Sequence, residues 1–169
     1  MNYSEMTGDL FKDAQGRILA HCISADFALG AGIAVKFREM GVRDMLKREY
    51  PDYLSRWNKG ECIVTETGGV TTCNLITKRY CNEKPTYENL QSALEGMKDY
   101  INSLETDKPV QIGMPLIGCG IDGLEWDKVS SMVKDTFKDC NADILVVKFD
   151  KERAKEKTIN KTRSSYDRW

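Results

Sequence analysis

Histidine occurs once, at His21, and the six cysteines (Cys22, Cys62, Cys73, Cys81, Cys119, Cys140) form no Cys-x-x-Cys pair. Ligand spacing for a structural zinc is therefore missing, and neither a metal nor a cofactor is expected. No apolar stretch approaches the roughly 20 residues of a membrane helix, so no membrane association is expected. The opening Met1-Asn2-Tyr3-Ser4-Glu5 has neither a basic nor an apolar signal region, and the expectation is an intracellular chain. Scattered cysteines read as free thiols, which suits the cytoplasm or another reducing compartment. A serine–histidine triad, a P-loop and a deaminase signature are all lacking.

What is present fits one globular domain. The chain has 169 residues, 41% hydrophobic and 30% charged, enough to bury a core without disulfides or metal. The net charge of −1 is unevenly spread: from Lys151 onward there are seven basic and three acidic residues, a local +4, which leaves −5 for the rest. The division expected is a domain over 1–150 and a charged, flexible tail over 151–169. Such a tail either steers the chain toward a polyanion or is simply solvated.

Strand-like and helix-like segments alternate. Short β-like runs fall at Asn2–Met6, Arg17–Ile23, Gly60–Glu66, Thr72–Thr77, Val110–Met114 and Asp143–Phe149. The last contains Ile144-Leu145-Val146-Val147, a run typical of a strand buried on both faces. Helices are expected over Ala31–Met40, with Gly41 as its C-terminal cap, and from Val42 to near Pro51. After Pro85, Thr86 can serve as N-cap, while Leu90, Ala93, Leu94, Met97, Ile101 and Leu104 recur on one helical face. A last helix spans about Trp126 to Lys138. The alternation predicts a three-layer α/β/α domain on a mixed sheet.

Three segments fall at strand ends, where open α/β sheets place ligands. In Gly8-Asp9-Leu10-Phe11, Asp9 could accept a hydrogen bond from an amine such as that of adenine, although Gly-Asp there more often makes a turn. Ala20-His21-Cys22-Ile23-Ser24 runs through Phe27 into Gly30-Ala31-Gly32-Ile33-Ala34. That small-residue loop offers backbone N–H groups to an anion, or alternatively only tight helix–strand packing. It is not the dinucleotide fingerprint, because the third glycine is missing. Pro115-Leu116-Ile117-Gly118-Cys119-Gly120-Ile121-Asp122-Gly123 puts three glycines in six residues before a helix, again suiting a phosphate. Two such loops favour a diphosphate-containing nucleotide. Phe27, Tyr87 and Trp126 are candidates to stack on it, with core or rim packing the commoner role, and His21 reads as a packed residue. Lys78, closing Leu75-Ile76-Thr77-Lys78, and Asp122 supply an amine and a carboxylate able to make and break a bond at a sugar carbon.

Taken together, these loops and Leu75-Ile76-Thr77-Lys78 with Lys84-Pro85-Thr86-Tyr87-Glu88-Asn89-Leu90 resemble the macrodomain family, and most closely its terminal ADP-ribose protein glycohydrolase branch. The resemblance covers roughly Met1 to Phe149. It implies ADP-ribose bound over the strand C-termini, with Asp9 on the adenine amine. Gly30, Gly32, Ile33 and Ala34 on one side, and Ile117, Gly118, Cys119, Gly120 and Ile121 on the other, would wrap the diphosphate and distal ribose. Ser24 would lie near the diphosphate or distal ribose, and Leu10, Ile23 and Pro115 complete the binding set. Lys78 and Asp122 match the branch's catalytic pair.

The activity implied is removal of mono-ADP-ribose from acidic protein side chains, and of O-acyl-ADP-ribose by the same ester chemistry. A lysine amine is protonated at neutral pH, and attacks only where its surroundings favour the neutral form. Two departures stand out: Arg79-Tyr80-Cys81-Asn82-Glu83 after the lysine, and the basic extension after Asp150. Alternatives are a glycohydrolase acting on thymidine-linked ADP-ribose in DNA, of antitoxin type, and a non-catalytic ADP-ribose-binding module. The partners expected are ADP-ribose and ADP-ribosylated protein, with nucleic acid less favoured, and a monomer is expected.

Overall fold

A computed structural model describes residues 1–120 and 122–149. Six strands, β1 (Asn2–Gly8), β2 (Ile18–Ser24), β3 (Glu61–Thr67), β4 (Val70–Lys78), β5 (Val110–Met114) and β6 (Ala142–Phe149), form one sheet in the order β1-β6-β5-β2-β4-β3. Every pairing is parallel except that of β3 with β4. The sheet is therefore mixed, as the sequence predicts. Strand positions agree, and β5 has the expected bounds. β1 and β4 run longer than their apolar runs, because partners extend the ladder: Gly8 pairs with Phe149 and Lys78 with Ser24.

Among the described residues six helices cover the faces: α1 (Leu10–Asp13), α2 (Ala34–Glu39), α3 (Val42–Glu49), α4 (Tyr53–Arg56), α5 (Tyr87–Ser103) and α6 (Trp126–Phe137). The α5 start is the most local of them. Thr86 Oγ1 accepts from the Asn89 N–H at 3.1 Å, and Leu90, Ala93, Leu94, Met97 and Ile101 all turn inward. Two expectations are corrected. The helix expected from Ala31 begins at Ala34, because Gly32 has φ 62, a left-handed conformation no α-helix contains. Gly8-Asp9-Leu10-Phe11 is not merely a turn: Asp9 Oδ1 accepts from the Phe11 N–H at 3.0 Å and caps the short α1.

Side chains from α5 and α6, including Leu94, Met97, Val133 and Phe137, pack on Leu75, Ile112, Ile144 and Val146. On the other face Leu10, Phe37, Leu46 and Tyr53 pack on Leu19, Ile23, Ile63 and Ile76. Two apolar layers around one sheet make the three-layer α/β/α architecture. Among the described residues no helix is long and apolar enough to cross a membrane. The segment 151–169, expected as a flexible tail, lies outside the described residues.

The topology also decides where a ligand can sit. β2 and β5 are neighbours, yet β2 leads to α2–α4 on one face and β5 leads to α6 on the other. Connections that diverge in this way leave a crevice at the carboxyl ends of the strands.

Candidate active site

Lys78 is the last residue of β4, and its side-chain direction is set by an irregularity just before it. Ile23 pairs with Ile76 but Ser24 pairs with Lys78, so Thr77 is an extra residue in the ladder. A bulge of this kind breaks strict strand alternation and re-aims the side chain that follows. Lys78 Nζ donates to Asp122 Oδ1 at 2.5 Å and to the Cys81 carbonyl at 3.1 Å. The two side chains are only 10% and 17% exposed, so solvent screens the pair weakly. The residues singled out as amine and carboxylate, 44 positions apart, are thus in contact.

Asp122 comes from the loop after β5. That loop is folded by its own backbone: Ile117 N–H donates to Pro115 O, Cys119 N–H to Leu116 O, and Leu124 N–H to Gly118 O. Gly118 has φ 71, and a side chain there would press on Leu124, so only glycine fits. Ile117 and Gly118 are buried, Pro115 and Cys119 half-buried and Gly120 exposed. Ile121 lies outside the described residues.

On the other side of the crevice, the loop after β2 holds Ser24, buried, and Gly30 and Gly32, exposed. Ile33 and Ala34 are half-buried at the start of α2. Leu10 and Ile23 belong to the core beneath. Two non-glycine residues of this loop, Phe27 (φ 53) and Leu29 (φ 42), adopt left-handed backbone. Such strain persists only where surrounding contacts hold it, and Asp26 supplies them. Its Oδ1 accepts from Ser24 Oγ at 2.5 Å and the Ala28 N–H at 3.2 Å, and its Oδ2 accepts from the Cys81 N–H at 3.1 Å. Burial pushes the Asp26 carboxyl upward, but hydrogen bonds from Ser24, Cys81 and Ala28 outweigh it and keep it below the ordinary carboxylate value.

Neighbouring thiols are poor competitors for the role of nucleophile. Burial, with Asp122 close by, raises Cys119 to about 11 and Cys22 further still. His21 Nε2 bonds to Asn74 Oδ1 at 2.6 Å, and the ring stacks on Phe37. Burial lowers it to about 4, the behaviour of a packed residue. Among the stacking candidates, Phe27 is buried against Tyr53, the Tyr87 hydroxyl accepts from the Glu125 N–H, and the Trp126 indole donates to Glu5. All three serve packing contacts.

Sequence reasoning missed three residues here. Asp26 and Cys81 act through contacts 55 positions apart, which no local pattern announces. Phe149 ends β6, pairs with Gly8 in the ladder and is 60% exposed. A cleft of about 370 Å³ lies elsewhere, at the amino edge of the sheet, lined by Phe11, Arg17, Met40 and Val70 among others. None of its residues belongs to the loops after β2, β4 or β5, and it has no paired amine and carboxylate. The paired amine and carboxylate lie instead at the carboxyl edge. Among the described residues no His, Cys, Asp or Glu group could hold a metal ion.

The family described as Macro domain matches residues 20–133. ADP-ribose glycohydrolase OARD1 of Homo sapiens is 41% identical over 142 residues, which cover 82% of this chain and 86% of that protein. The chain belongs to the macrodomain family. The Bos taurus protein of the same name is 39% identical to this macrodomain, with the same coverage. Among solved structures, the macrodomain of Mycobacterium tuberculosis DarG superposes with a TM-score of 0.71 at 19% identity, covering 86% of this macrodomain and 96% of that chain. Thermosipho africanus DarTG in complex with ADP-ribose also gives 0.71, at 16% identity over 89% of this chain and 42% of that one. At such identities these two establish the shared fold.

Proposed function

We propose that this macrodomain is an ADP-ribosyl hydrolase that releases mono-ADP-ribose from acidic protein side chains and cleaves O-acyl-ADP-ribose, with Lys78 as nucleophile and Asp122 as proton carrier. The observation that carries the reading is the Lys78–Asp122 contact at the carboxyl edge of the sheet. Binding ADP-ribose needs neither residue, whereas ester cleavage has a use for both. Relatives of about 40% identity that bear the name ADP-ribose glycohydrolase support the same reading.

The chemistry balances with these two groups alone. An ammonium has no lone pair, so Lys78 first passes a proton to Asp122. The Nζ–C1″ bond then forms as the bond from C1″ to the ester oxygen breaks, and the glutamate leaves as a carboxylate. Water adds at C1″ and the C–N bond breaks. The amine takes its proton back from Asp122, and the proton of the water passes to solvent. Net consumption is one water per ester, with the enzyme restored. The substrate is held by the flanking loops. Asp9 and the exposed Phe149 serve the adenine end, and the loops containing Gly30–Ala34 and Ile117–Ile121 serve the diphosphate and distal ribose.

The test is turnover of glutamate-linked ADP-ribosylated protein by the wild type, Lys78→Ala and Asp122→Ala, with ADP-ribosylated single-stranded DNA as a parallel substrate. Release by the wild type on the protein substrate, lost in both variants, is expected. Equal release by all three removes the catalytic assignment, and preference for the DNA substrate replaces the acidic side chain with a nucleobase.

A further inference from the structure

We infer that Asp26 is a positioning residue for Lys78, acting through the backbone of Cys81; this rests on the role given to Lys78 above. The Cys81 backbone is held on the two consecutive peptide units that meet at its Cα. Its N–H donates to Asp26 Oδ2 at 3.1 Å, and its carbonyl accepts from Lys78 Nζ at 3.1 Å. The amine therefore has one partner that must change during catalysis, Asp122, and one that is fixed, the Cys81 carbonyl. The fixed one is only as well placed as the loop that carries it. Cys81 through Lys84 are exposed, and that stretch has little packing of its own to hold it.

Asp26 supplies the missing constraint from across the β2–β4 junction. Its own backbone is pinned there, since Ala25 N–H donates to Lys78 O at 2.8 Å and Asp26 N–H to Arg79 O at 3.1 Å. The carboxylate thus joins three parts of the site: Ser24, the left-handed turn at Phe27 to Leu29, and the loop after the lysine. When Lys78 lets go of Asp122, the Cys81 carbonyl keeps the amine from swinging away. A loss of roughly an ångström in the aim of a reacting atom is enough to cost about a hundredfold in rate.

The geometry selects a variant that keeps the links to Ser24 and Ala28 and disturbs those to Cys81. In Asp26→Asn the amide oxygen can keep the Oδ1 bonds from Ser24 and Ala28, while the amide nitrogen faces the Cys81 N–H, donor against donor. Asp26→Glu keeps the charge but moves the carboxylate by a methylene. Three readouts apply to the wild type and both variants. The first is kcat and KM on glutamate-linked ADP-ribose, and the second is the Kd of free ADP-ribose by calorimetry. The third uses free ADP-ribose, whose ring-opened distal ribose presents an aldehyde that condenses with the Lys78 amine to an imine with loss of water. Cyanoborohydride reduces that imine, and the rate of this trapping is read by peptide mass spectrometry.

In Asp26→Asn, kcat and the trapping rate should both fall roughly tenfold to a hundredfold, with KM and Kd within about threefold of wild type. A purely structural role would instead move Kd, KM and melting temperature together, and that result overturns the inference. Wild-type rates and wild-type trapping in Asp26→Asn overturn it too, while leaving Lys78 as nucleophile. A wild type that turns over without trapping at Lys78 removes the nucleophile assignment and this inference with it. If Asp26→Asn does not fold, Asp26→Glu carries the same comparison: unchanged Kd with reduced kcat supports the inference, and unchanged kcat overturns it.

Discussion

Arg17 and Asp143 meet at 3.1 Å where the strands begin, and Lys78 and Asp122 at 2.5 Å where they end. Both pairs are mostly shielded from solvent, yet they are built differently. Arg17 Nη1 also donates to the carbonyls of Ile112 and Asp143, at 3.3 and 3.0 Å, so one planar cation ties β2 to β5 and β6. A guanidinium does not give up its proton and has no chemistry to offer there. Lys78 instead reaches two partners on two different loops, and an amine can become a nucleophile. Similar burial and charge thus serve cohesion at one edge and reactivity at the other. What separates them is whether the cation can deprotonate and whether its partners lie on rigid strands or on loops.

That contrast can be broken from either side. The largest effect expected is for Lys78→Ala, with turnover down on the order of ten-thousandfold and ADP-ribose affinity retained, measured by release assay and calorimetry. Lys78→Arg keeps a cation for Asp122 but removes the ability to deprotonate, and should still cost about a thousandfold. Retained turnover in Lys78→Arg would mean that charge alone matters at this edge. Between the two edges lies His21, held down at about 4 by burial against an ordinary 6.5. As pH falls below about 6.5 the unfolded chain binds this proton first, so stability present above that pH drains away until about pH 4. The loss should be about 3 kcal/mol, read as a falling urea midpoint, and His21→Gln should flatten most of the slope. Smallest is Arg17→Ala, expected to lower stability by about 1–3 kcal/mol with turnover within about twofold of wild type. A large loss of turnover in Arg17→Ala would erase the division between the two edges.

How much of this was legible in the sequence depended on range. The α5 start was readable because a cap and an apolar stripe are local signals, and β5 because a short apolar run is bounded by turn residues. α1 and α4 were not, since four residues hold barely one helical turn and no repeat of an apolar pattern. The start of α2 was misread because a helix-compatible run hid the left-handed Gly32. Lys78 and Asp122 were visible as separate residues at loop edges. Their pairing was implied by the family resemblance and not by local pattern, because the contact depends on the Thr77 bulge and on a β5 loop far along the chain. Asp26 was invisible for the same reason: its meaning lies in its contact with the backbone of Cys81, 55 positions away.

One measurement addresses the lysine most directly. Intact-mass analysis of the protein incubated with ADP-ribose and cyanoborohydride, followed by peptide mapping, should find a sugar–lysine adduct on Lys78 that forms more slowly in Asp122→Ala, because the amine there lacks the carboxylate that takes its proton. An unmodified Lys78 under conditions where ADP-ribose demonstrably binds, or an adduct on another residue, would contradict the account.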